Sequence, residues 1–98
     1  MREEIDCTAA VQHIWDRHRI LAEWVEQACA DADRVILDPD PASRSGRSVR
    51  IVGFSSGYGY PITVVAVRRS DRLVVASAWP ANSKDRRTYL EGQGNEWQ

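Results

Sequence analysis

The sequence predicts an α+β fold: two N-terminal helices, a four-stranded antiparallel sheet and a C-terminal helix. Three observations predict it. Apolar residues recur at helical spacing as far as Ala30. Four β-branched stretches then follow, joined by short polar connections. After them comes a proline stop and a charged segment with its own helix cap. Strands in succession imply antiparallel pairing, with the helices gathered on one face or end. A chain of 98 residues makes one domain. Its core is expected over residues 8–91, with 92–98 a flexible tail unless Trp97 packs.

The first helix runs from Thr8 to about His18, with Ala10, Val11, Ile14 and Trp15 on its apolar side. After a break at Arg19-Ile20-Leu21, the second runs from Ala22 to about Ala30 and buries Trp24, Val25, Ala28 and Cys29. Each is too short to stand without a sheet beneath it. Arg34–Asp38 is a compact strand ended by Pro39, and residues 39–46 form a loop. Arg47–Phe54 alternates, with Val49 and Ile51 pointing one way and Ser48, Arg50 and Val52 the other. Ser55–Tyr60 is a glycine-rich connection whose tyrosines either anchor the loop or contact a base.

Two apolar runs, Ile62–Val67 and Leu73–Ala78, flank Arg68–Arg72 and predict a hairpin of central strands. Pro80 lacks the N–H a ladder needs, so the second run ends near Trp79. Asn82 offers an N-cap, with Asp85 at the third helical position. The helix that follows has Tyr89 and Leu90 to pack on the sheet.

Composition places the chain among soluble globular proteins, with 43% hydrophobic and 28% charged residues. No apolar run approaches the length of a membrane helix, and the acidic N-terminus has no signal-peptide stretch, so a cytoplasmic location without membrane contact is expected. Cys7 and Cys29 have no ligand-like spacing and read as reduced, partly buried thiols that two antiparallel helices would bring near each other.

The net charge of −1 conceals a segregation. Residues 1–33 set Arg2, Arg17 and Arg19 against eight acids, whereas residues 44–87 set eight arginines and Lys84 against Asp71 and Asp85. The positive residues are expected to form one patch that includes Arg47, Arg50, Arg86 and Arg87. Two such halves either attract each other as solvated surface or offer a face to phosphate.

No glycine-rich phosphate loop, GxSxG or HExxH occurs. His13 and His18 stand about 140° apart around a helix and make no metal pair on one face. No zinc-type cluster or carboxylate pair is present, and no cofactor is implied. The remaining chemistry is that of a metal-free ribonuclease, with arginines on phosphate and a proton shuttle at the sugar. Candidate catalytic residues are His18, Arg50, Arg86 and Tyr89. Candidate RNA-binding residues are Arg44, Arg47, Lys84 and Arg87, with Trp79 as a stacking platform. Each has a structural alternative: a helix-end histidine, solvated arginines, a tryptophan packed under the last helix. Arg50, set on the face away from Val49 and Ile51, is expected to be dispensable for folding. His13 reads as a partly buried helix residue.

Three stretches together resemble a known family. Arg17-His18-Arg19-Ile20 resembles the Lys-His-Gly-Val/Ile of BrnT-type toxins, within the RelE/ParE-like toxin superfamily, and is followed by a helix and a strand ending Asp38-Pro39. Gly46–Ser55 is similar to their second strand, an arginine before an apolar run and Gly-x-Ser. Ala76–Ala81 followed by Asp85-Arg86-Arg87-x-Tyr89 resembles their Ser-Ala-Arg-x-Ala and Glu-Arg-x-x-Tyr. The resemblance covers about residues 13–91. It implies a RelE/BrnT-like fold, the toxin role in a toxin–antitoxin pair, metal-independent cleavage of mRNA, either free or ribosome-associated, and an antitoxin partner. Two departures stand out: Arg19 replaces the family glycine, and Trp79 stands where the family has arginine. A non-enzymatic protein- or RNA-binding module on the same fold is the alternative.

Overall fold

A computed structural model describes residues 4–94. The fold is α+β, with three helices on a five-stranded mixed sheet. The chain runs β1 (Glu4–Asp6), a 3-10 turn (Thr8–Ala10), α1 (Val11–His18), α2 (Ala22–Ala30), β2 (Val35–Leu37), β3 (Ser48–Ser55), β4 (Tyr60–Arg69), β5 (Arg72–Pro80) and α3 (Ser83–Gly94). Strand order is β1-β5-β4-β3-β2. The four expected strands are present, paired antiparallel, and the hairpin is as anticipated, with Val64 opposite Ala78. Its strands are longer than the apolar runs, leaving only Ser70 and Asp71 as the turn, with Ser70 in the left-handed region at φ 49°.

Two expectations need correction. The sheet has a fifth strand, β1, parallel to β5 with Ile5 opposite Leu73. This strand covers the outer edge of β5 over Arg72–Val74. The helices also do not share one face. Ile51 and Val64 are fully buried in the core with Ile14, Val25 and Ala28, under α1 and α2. Val52 points the other way and packs with Ala81, Tyr89 and Val35 beneath α3.

The approach of α2 to the sheet depends on one residue. A Cβ built on Gly53 would stand 2.0 Å from the carbonyl oxygen of Ala28 and 2.8 Å from its carbon. Backbone cannot swing aside as a side chain can, so α2 must lift from β3 to admit a methyl group. Gly53→Ala is expected to cost about 2–3 kcal/mol, as overpacking does. Urea denaturation measures this, and an unchanged midpoint would refute the close contact.

Asn82 caps α3 as expected: its Oδ1 accepts the Asp85 amide at 2.8 Å. The helix continues to Gly94, so the segment after Leu90 begins as helix rather than tail, and Trp97 lies outside the described residues. Tyr89 is buried, but Leu90 is 59% exposed and does not pack on the sheet.

Candidate functional site

Cross-strand register sets the site. On the sheet face that carries α3, Val52, Thr63 and Trp79 form one row, and Arg50, Val65 and Ser77 the next. Helix α3 covers only the β2–β4 side of this face. Val65, Val67, Val74, Ser77 and Trp79 are left half-buried.

Helix α1 borders the uncovered part by running along β5. His13 Nε2 lies 3.4 Å from Ser77 Oγ. The His18 ring is 6.3 Å from that of Trp79, tilted at 48°. Five helical residues rise about 7.5 Å and two strand residues about 6.6 Å. The two imidazoles therefore keep step with Ser77 and Trp79, despite their angular separation around the helix. His13 is exposed, not partly buried as its helical position suggested. A half-buried hydroxyl, two imidazoles and a half-buried indole thus line one margin of an open sheet face.

Arg50 is placed differently from expectation. Its Nη1 donates to both oxygens of Asp85, at 3.3 and 3.2 Å. Its Nε stands 3.1 Å from Asp40 Oδ1, an ion pair whose N–H is not aligned for a hydrogen bond. Asp40 and Asp85 are only 5% and 3% exposed, and Asp85 Oδ2 also accepts from Thr63 Oγ1 at 2.9 Å. One guanidinium between two buried carboxylates leaves the cluster net negative, so it repels phosphate rather than gripping it.

The remaining candidates are dispersed. Arg86 is exposed, donates from Nη1 to the Tyr60 hydroxyl at 2.9 Å and lies over that ring. Lys84 and Arg87 are exposed on α3. Arg44 and Arg47 are exposed near the opposite end of the sheet, where the Arg47 carbonyl accepts the Arg68 amide. Arg47 and Arg86 are thus separated by nearly the length of β4, and the single positive patch does not form. Tyr58 is a loop anchor, stacked against Trp24 at 5.3 Å.

Tyr89 has a structural task. Its hydroxyl donates to Asp31 Oδ2 at 2.6 Å, and the Phe54 amide donates to the same oxygen at 2.8 Å. Burial pushes the Asp31 carboxyl up, but bonds from Tyr89, Phe54 and Asp33, with the nearby Arg34 charge, hold it below its ordinary 3.8. This stabilisation is present above the unfolded value and fades as pH falls through the lower folded one. Tyr89→Phe is expected to cost about 1–2 kcal/mol at pH 7 and less at pH 3, because a partly exposed charged hydrogen bond is lost. Equal losses at both pH values in urea titrations would contradict the assignment.

The two thiols are buried, free and unsuited to nucleophilic work near neutrality. Burial and the neighbouring Glu26 carboxylate push Cys7 up to about 11; burial and the proximity of Cys7 push Cys29 up to about 12.

No protein-family model matches the chain, and no curated protein matches it. No helix among the described residues is long and apolar enough to cross a membrane. Function rests on the geometry. The sequence missed His13 with Ser77, and Asp40, Thr63 and Asp85 around Arg50. Thr63 carried a signal, a lone hydroxyl inside an apolar strand.

Proposed function

We propose that this chain is the toxin component of a bacterial toxin–antitoxin pair, of the BrnT type within the RelE/ParE-like superfamily, and that it cleaves RNA without a metal. The observation that carries this reading is the placement of His13 and His18 beside Ser77 and Trp79 on the margin of an uncovered sheet face. One imidazole removes the 2′-hydroxyl proton as the 2′-oxygen attacks phosphorus. The other protonates the departing 5′-oxygen, giving a 2′,3′-cyclic phosphate and a free 5′-hydroxyl. Trp79 stacks a base, and exposed arginine draws the phosphate in. Arg50 and Tyr89 serve as framework. One departure from the family pattern supports the resemblance. Arg19, where the family has glycine, ends α1 at φ 54°, the left-handed conformation glycine favours.

A binding module without catalysis is the second reading, favoured by the Arg50 guanidinium being held by two carboxylates and by the indole in place of the family arginine. Purified protein incubated with RNA and with ribosome-bound mRNA in EDTA separates the two. The enzyme reading expects fragments ending in 2′,3′-cyclic phosphate. RNA left intact in both forms would retire it and leave the binding module, with an antitoxin as its partner.

A further inference from the structure

On the opposite side of the sheet, between α2 and β2, lies a cleft of about 440 Å³. This is within the size range of small-molecule sites, although small for it. Its exposed hydrocarbon is Ile36 and Ala30, set over Val49, Ile51, Leu73 and Cys29, which are 8% exposed or less. Ile36, one of the lining residues, is a large apolar side chain left 48% exposed.

The charges at its rim are not equivalent. Arg68 and Asp38 pair with each other, at 3.0 Å. Arg34 and Glu26 also line the cleft, and among the described residues neither is in an ion pair. Arg34 donates from Nη1 to the Asp31 carbonyl at 3.0 Å, which fixes the guanidinium while leaving its other N–H groups unused among the described residues. Among the described residues Glu26 accepts only the weak thiol donor of Cys7, at 3.6 Å.

We propose that this cleft binds a small zwitterion with an apolar body, an apolar α-amino acid, its carboxylate on Arg34 and its ammonium on Glu26. A purely apolar ligand would desolvate both charges without replacing their water. A simple carboxylic acid would satisfy Arg34 but face the Glu26 carboxylate. A zwitterion matches both, and the exposed hydrocarbon of Ile36 and Ala30 takes its side chain. The inference does not depend on the RNA reading, because the cleft lies under α2 and the histidines border the other face.

Amide-resolved NMR titration of the 98-residue chain tests it, with L-leucine and L-phenylalanine as probes. Controls are 4-methylpentanoate and isopentylamine, which each lack one charge. Saturable shifts at Cys29, Ile36 and Leu73 are expected with the amino acids, and binding weaker by about tenfold or more with either control. Glu26→Gln is expected to weaken leucine binding and to strengthen that of 4-methylpentanoate, a gain that general unfolding cannot produce. Arg34→Gln should weaken both. His18→Ala should leave leucine binding unchanged whatever it does to RNA. No saturable shift with either amino acid, shifts centred elsewhere, or equal affinity for leucine and 4-methylpentanoate would each overturn the proposal.

Discussion

Arg50→Ala is expected to destabilise the fold by about 3–5 kcal/mol, the cost of removing one partner from a buried charge cluster. Asp40 and Asp85 reach Arg50 from the loop after β2 and from the first turn of α3. Without the guanidinium, two buried carboxylates face each other with only Thr63 and local amides as donors. The loop and the helix would both lose their attachment to β3. The control is to remove the whole cluster. Arg50→Met with Asp40→Leu and Asp85→Leu leaves no orphaned charge and should recover most of the loss. Chemical denaturation of the two variants decides the matter. If Arg50→Ala kept wild-type stability and lost only RNA binding, Arg50 would be the phosphate contact its strand position first suggested.

That contrast shows which information was local. Alternation along β3 put Arg50 opposite Val49 and Ile51, and this was correct. Alternation cannot say what waits on the other side. Asp40 follows a proline in a loop, and Asp85 lies in the first turn of α3, where its amide is held by Asn82; nothing in their own neighbourhoods marks them as partners of one arginine. The hairpin, the Pro80 stop and the Asn82 cap were legible because each rests on residues adjacent in the chain. Strand β1 was not legible, because Glu4-Ile5-Asp6 has a single apolar residue and pairs in parallel with a strand over sixty residues away. The position of α3 was equally hidden. It follows from Val52 meeting Tyr89 and Ala81, a contact visible only once β3 is seen from both faces.

The histidines teach the same lesson in helical geometry. An angle of 140° excludes two ligands to one point, and it was right to exclude a metal pair on that ground. It does not exclude two groups serving one extended substrate when the helix lies along a strand. His13 lies at Ser77 and His18 at Trp79, two residues apart along β5, so one strand laid on that margin meets both.

On the ribonuclease reading, His18→Ala is expected to lower the cleavage rate on the order of 10²–10⁴-fold, the range for a lost general acid or base. His18 is the last residue of α1 and only half-buried, so the fold should survive the change. His13→Ala should cost a comparable factor, and the double variant little more than either alone, because the two proton transfers act as a unit. The wild-type profile of rate against pH should have two limbs, one for the base and one for the acid, and each single variant should lose one of them. Trp79→Ala, by contrast, should raise KM more than it lowers kcat, since a stacking ring holds a base without touching the reacting atoms. If a folded His18→Ala variant cleaved at the wild-type rate with an unchanged pH profile, the imidazole at the end of α1 would have no part in catalysis. The open face would then remain as a binding surface alone.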